Sequence, residues 1–125
     1  MFGRDRKRSS DTPSILLVDD DKGQLDVFAT WMTAIRPNAR IHTADNVQEA
    51  LTLIDSHKFS LIISDYSMPH TGAGLDIFKA AIQSGLPKSG FIMLSGTIDN
   101  LPEEIRFVSK GDLIALETAI DETLT

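Results

Sequence analysis

The stretch ILLVDDDKG, Ile15 to Gly23, drives four apolar residues straight into three aspartates. A short continuous apolar run with polar neighbours is what a strand buried on both faces of a parallel sheet looks like. The carboxylates that end it repel one another, and each loses hydration as it nears an apolar core. A strand that delivers like charges to its own end needs something there to neutralise them.

Outward from this strand the pattern alternates. Leu25, Phe28, Ala29, Met32 and Ile35 fall at helical spacing and Pro37 ends the run. Arg40 to Thr43 reads as a second, more polar strand. Asp45 or Asn46 can cap a helix whose apolar face is Val47, Ala50, Leu51 and Ile54. Leu61 to Ile63 is a third strand, ending at Ser64-Asp65. A loop with Met68-Pro69, Gly72 and Gly74 leads to a helix with Leu75, Phe78, Ala81 and Ile82, closed by Gly85 and Pro87. Phe91 to Leu94 ends at Ser95-Gly96, and Ile105 to Val108 ends at Ser109-Lys110. Asp112 can cap a last helix carrying Leu113, Leu116, Ile120 and Leu124. Strands alternating with helices imply a parallel α/β sheet covered on both faces.

The totals agree with one domain. The chain has 125 residues, enough to bury a core without disulfides, and no cysteine, which excludes thiol redox chemistry and thiolate metal sites. The net charge is -6, unevenly spread. Arg4, Arg6, Lys7 and Arg8 lie in residues 1–14, which read as a disordered polar tail. From Ile15 onward eight Lys/Arg face sixteen Asp/Glu. So acidic a body disfavours direct nucleic-acid binding. No apolar stretch is long enough to span a membrane and no signal-peptide core is present, so a cytoplasmic location with no membrane contact is expected.

In open parallel sheets, ligands bind beyond the carboxyl ends of the strands. Those ends carry Asp19 and Asp20, Asp65, Ser95 and Lys110. Three acids, a hydroxyl and a lysine thus converge on one rim. A hard divalent cation such as Mg²⁺ takes oxygen ligands and keeps several waters. Asp19, Asp20 and Asp65 can supply those oxygens. A lone DDD would more simply cap the next helix. With Asp65 and Lys110 at matching strand ends the metal is the better reading, and Asp21 keeps the capping role. His42, His57 and His70 are not at metal-ligand spacing and read as surface residues; Trp31 lies off the main stripe of its helix and reads as half-buried.

LLVDDD, SDYSMP, LSGT and FVSKG together resemble the receiver domain of bacterial two-component response regulators, over residues 15–125. The resemblance implies a flavodoxin-like, doubly wound five-stranded sheet in the order 2-1-3-4-5. It implies that Asp65 accepts a phosphoryl group from a phosphohistidine on a sensor histidine kinase or histidine phosphotransfer protein. Asp19, Asp20, Asp65 and the carbonyl of Ser67 would hold Mg²⁺. Lys110 and Ser95 would meet the phosphoryl oxygens, Gly96 would leave room for them, and Phe107 would occupy the aromatic switch position. Such a domain catalyses its own phosphorylation and dephosphorylation but serves signalling rather than metabolism.

Four departures from the family pattern are visible. Gly111 stands where proline usually follows the lysine. The loop after Asp65 is one residue longer, so Gly74 rather than Ala73 matches the usual glycine. Phe107 lacks the hydroxyl of the commoner tyrosine. Only TIDNLPEE, Thr97 to Glu104, separates Ser95-Gly96 from the fifth strand, too little for a helical crossover, so a loop or a single turn is expected in place of the fourth helix. The competing functions are an interaction-only pseudo-receiver, which the short crossover favours, and a Mg²⁺-dependent phosphohydrolase with an aspartyl nucleophile. The complete acid, hydroxyl and lysine set opposes the first; the lack of substrate-pocket elements in so short a chain opposes the second.

Overall fold

The computed structural model describes residues 12–68, 72–96 and 102–124. Its elements run β1 (Ser14–Val18), α1 (Lys22–Ile35), β2 (Arg40–Ala44), α2 (Val47–Ser56), β3 (Leu61–Asp65), α3 (Ala73–Gln83), β4 (Phe91–Ser95), β5 (Arg106–Ser109) and α4 (Leu113–Leu124), with a 3₁₀ turn at Lys88–Gly90 before β4. All strand pairings are parallel, in the order β2-β1-β3-β4-β5.

Alternation along the central strands splits the core in two. Leu16, Val18, Ile62, Phe91 and Met93 face α2 and α3, packing with Ala50, Ile54, Ile77 and Phe78. Ile15, Leu17, Leu61, Ile63 and Ile92 face α1 and α4, packing with Leu25, Met32, Leu116 and Ile120. Three of the four α-helices begin on a side-chain cap the sequence offers, while α3 starts at Gly72 with no side-chain cap. Asp21 accepts from Gln24 N–H, and Asn46, rather than Asp45, accepts from Glu49 N–H at 2.7 Å. Asp112 Oδ1 accepts from Ala115 N–H at 3.0 Å. These bonds satisfy amides that the first helical turn leaves without partners.

Several boundaries and faces differ from the sequence reading. β1 starts at Ser14, one residue before Ile15, and Arg40 N–H donates to the Pro13 carbonyl. β5 runs one residue later than expected, because Ile105 is buried in the turn that precedes it. Leu113, expected on the apolar face of the last helix, is 51% exposed. It stands in the first turn, above the end of β5, and Ala119 takes its place in the core. The loop or single turn expected in place of a fourth helix concerns Thr97 to Glu104. Residues 97–101 of that call lie outside the described residues; beyond them Ile105 N–H donates to the Pro102 carbonyl at 3.3 Å in a turn. The tail and His70 likewise lie largely or wholly outside the described residues. Among the described residues no helix is long and apolar enough to cross a membrane.

Candidate functional site

The sheet order reverses between β1 and β3, and there the register aligns Val18 with Ser64. The next residue on each strand is therefore an aspartate at the same level, Asp19 beside Asp65. One residue further along β1, Asp20 joins them. A carboxylate oxygen from each of Asp19, Asp20 and Asp65 lies within 4.8 Å of the others. Asp19 and Asp65 are buried and Asp20 is exposed.

Local hydrogen bonds hold the acids in place. Asp19 Oδ1 accepts from Asp21 N–H at 2.9 Å, so the first aspartate is tied into the turn that starts α1. Asp65 Oδ1 accepts from Ser67 N–H at 3.3 Å. Lys110 Nζ donates to Asp65 Oδ2 at 3.0 Å. The lysine reaches it because Ser95 pairs with Ser109 and Lys110 N–H donates to the Ser95 carbonyl at 2.9 Å. Ser95 is buried at the end of β4, and a Cβ on the neighbouring Gly96 would meet no atom of the described residues within 4 Å. The predicted rim residues Asp19, Asp20, Asp65, Ser95 and Lys110 are thus gathered at one end of the sheet. Ser67 contributes an amide to Asp65.

The electrostatics follow from this crowding. Burial pushes the Asp19 carboxyl above its ordinary value; the Asp21 amide opposes this, while Asp65 and Asp20 reinforce it. Partial burial alone would lower the Lys110 ammonium. The hydrogen bond and charge of Asp65, helped by Asp19 and Asp20, outweigh it and raise the lysine above its usual value. Among the described residues, three carboxylates face one lysine here, a net negative site. Their oxygens lie close enough to share a small cation with water in the remaining positions. The residues present therefore fit Mg²⁺.

Two residues shape the site without being candidates from composition. Gly74 opens α3 so close to β3 that a Cβ would lie 2.6 Å from the Asp65 carbonyl and 2.7 Å from Met93 Sδ. That bears on why glycine falls at 74. The ring of Tyr66, next to Asp65, packs edge-on to Phe107 at 6.1 Å. The sequence reading singled out Phe107 but not this partner; the available signal was an aromatic directly after the rim aspartate. Gly111, at φ +90°, makes the turn after Lys110 that a proline-containing sequence would have to make differently. An open groove of about 830 Å³ runs from Asp19, Asp21 and Lys110 between α1 and the start of α4, past Val27, Phe28 and Trp31. Trp31 is half-buried there and stacks on Phe28.

Comparison with known proteins gives a consistent picture. The family model described as the response regulator receiver domain matches residues 15–112. A two-component response regulator of rice, ORR12, is 34% identical over 97 residues, covering 76% of this chain and 76% of that protein. Another from rice, ORR8, is 34% identical over 99 residues with the same coverage. These relatives are plant proteins, so the likeness does not tie the chain to bacteria. Among solved structures, a receiver domain from Methylobacillus flagellatus has a TM-score of 0.74 at 18% identity, covering 90% of this chain and 98% of that one. The response regulator TrrA from Thermotoga maritima, in complex with Mg²⁺-BeF, has a TM-score of 0.74 at 22% identity, covering 90% and 99%. At these identities the structural likeness speaks for the fold.

Proposed function

Because the chain belongs to the response regulator receiver domain family, we propose that it accepts a phosphoryl group on Asp65 from a phosphohistidine of a sensor kinase or phosphotransfer protein in the cytoplasm. The observation that carries this reading is the Asp65 carboxylate. It is buried, hydrogen-bonded to Lys110 and flanked by Asp19 and Asp20.

Phosphoryl transfer asks little covalent work of a protein and much positioning and charge neutralisation. An Asp65 carboxylate oxygen forms the new O–P bond as the P–N bond to the donor imidazole breaks. The departing imidazole keeps the electron pair of the broken bond. Lys110 stands beside the carboxylate as a fixed positive charge for the incoming phosphoryl oxygens. Ser95 donates its hydroxyl to another of them, and Gly96, with no side chain, leaves room for the group. Asp19, Asp20 and Asp65, with the carbonyl of Ser67, would hold Mg²⁺, which supplies the positive charge that lets an anionic phosphoryl group approach an anionic acceptor. Phe107, packed on Tyr66 one residue from the acceptor, is the route by which the new charge reaches the surface of β5.

Incubation with acetyl phosphate and Mg²⁺, followed by intact mass, tests this. The wild type gains one phosphoryl group and Asp65→Asn gains none. Equal modification of both proteins would overturn the assignment.

A further inference from the structure

At the edge of the sheet the fold joins two histidines that the sequence sets far apart. The rings of His42, in β2, and His57, at the C-cap of α2, have centroids 4.8 Å apart with planes tilted by 57°. Phe59 closes the cluster, edge-on to His42 at 5.4 Å and stacked on His57 at 5.8 Å. His42 is half-buried and His57 exposed, so solvent reaches the pair.

Ser56 gives His57 Nδ1 the hydrogen-bond partner from which its tautomer is assigned. Its hydroxyl has one hydrogen, directed at the Thr52 carbonyl at 3.0 Å and the Leu53 carbonyl at 3.4 Å. The same oxygen lies 2.9 Å from His57 Nδ1. With its hydrogen used, it accepts there, and His57 Nδ1 donates. In the neutral ring Nε2 then carries the lone pair. An imidazole whose second nitrogen is held by a hydrogen bond is the usual form of a metal-ligating histidine. The spacing is also right. With metal–nitrogen bonds of about 2.0–2.1 Å, two cis imidazoles on one tetrahedral or square-planar ion have centroids about 4.5–5 Å apart.

We propose that His42 and His57 form a two-imidazole site for a late first-row divalent cation of the zinc, nickel or copper class, with water completing the coordination. Imidazole selects these ions over Mg²⁺, whose chemistry belongs to the oxygen ligands of the acidic rim. Among the described residues only Asp19, Asp20 and Asp65 gather as a trio of candidate ligands, so the histidine pair is a two-point clip rather than a closed structural centre. Its effect is mechanical. It fastens β2, the edge strand, to the end of α2, and binding to the folded state alone raises stability by mass action.

The test is calorimetric titration of the full chain with Zn²⁺ in saturating Mg²⁺, with thermal unfolding in parallel. His42→Phe and His57→Phe keep a ring against Phe59 and remove the ligand nitrogens. The wild type should bind Zn²⁺ with a rise in Tm, and each variant should bind at least about tenfold more weakly. Ser56→Ala keeps both imidazoles but loses the orienting bond, so it should also weaken binding, whereas Asp65→Asn should retain it. Should His42→Phe fail to fold, the exposed His57→Phe carries the comparison. Absence of Zn²⁺ binding by the wild type at millimolar metal overturns the proposal. So does undiminished binding by His57→Phe, or loss confined to Asp65→Asn.

Discussion

Asp19 is the residue on which the acidic rim costs most, since it is buried among like charges. Its carboxyl titrates above the ordinary 3.8 in the folded state. A group whose folded value is raised contributes stability that is fully present below the unfolded value and is lost as pH rises through the folded one. Without metal, the wild type should therefore lose stability relative to Asp19→Asn as pH climbs above about 3.8 and through the raised value, after which the gap should level off. The gap follows first from burial of the Asp19 charge and then from the like charges of Asp65 and Asp20. An asparagine oxygen can still accept the Asp21 amide, so the comparison isolates the charge. Mg²⁺ should close or reverse the gap by binding the wild type better. Melting curves from pH 3 to 8, with EDTA and with Mg²⁺, measure both; parallel curves throughout would contradict the raised Asp19 carboxyl. His42 has the opposite sign. Burial first, then His57 and Arg40, holds its imidazole below 6.5. Its contribution is present above 6.5 and lost as pH falls through the depressed value. In EDTA, His42→Phe should accordingly flatten the acid-side decline between pH 6.5 and the carboxylate range, and an unchanged decline would count against it.

Among the elements, α3 is the one whose placement tolerates least. At Gly74 its backbone lies against the end of β3, so Gly74→Ala must push the helix away from the Asp65 carbonyl and Met93. The expected loss is about 1–3 kcal/mol, as for overpacking elsewhere. A displaced Asp65 should also slow modification by acetyl phosphate. Urea unfolding and the rate of mass gain would show the two effects together; a stable variant with normal rate would mean the contact relaxes freely. The order of elements and the rim were legible because they rest on local signals. The apolar runs of β1, β3 and β4 are buried throughout or nearly so, and Asp21, Asn46 and Asp112 cap helices by bonds to amides three residues away. What was not legible depends on contacts distant in sequence. Leu113 fits the helical stripe of α4 but lines the open groove and is 51% exposed. Ile77 lies off the stripe of Leu75, Phe78, Ala81 and Ile82, yet it is fully buried against the sheet. His42 and His57 looked like unrelated surface residues until the β2–α2–β3 connection brought their rings together.

At the scale of the whole molecule, chemistry is gathered at one end of the sheet and the apolar surface beside it is left open. Val27 is 71% exposed, Leu113 51% and Ile114 83%, the large apolar side chains most exposed among the described residues. Val27 and Leu113 stand on opposite walls of the groove that begins at Asp19 and Lys110. Under the function proposed above, a phosphohistidine donor brings its imidazole to Asp65, so the surface around that imidazole must lie on the rim and its surroundings. A small phosphodonor needs only the rim. The two kinds of donor should then respond differently to the same change. Val27→Glu and Leu113→Glu put charge on exposed positions on the two walls of the groove, so each should alter stability by no more than about 0.5 kcal/mol. Modification by acetyl phosphate should proceed at the wild-type rate, because Asp65, Lys110 and the acids are untouched. Transfer from a phosphorylated histidine phosphotransfer domain should slow, and more so for the double variant, since an apolar contact has been replaced by charge on both sides. Leu113→Ala, which truncates the wall without adding charge, should slow it less. Parallel time courses with the two donors read the difference directly. If the variants slow acetyl phosphate as much as the protein donor, the groove acts on the chemistry of the rim itself. If they slow neither, the donor approaches Asp65 from the side of α3 and β5.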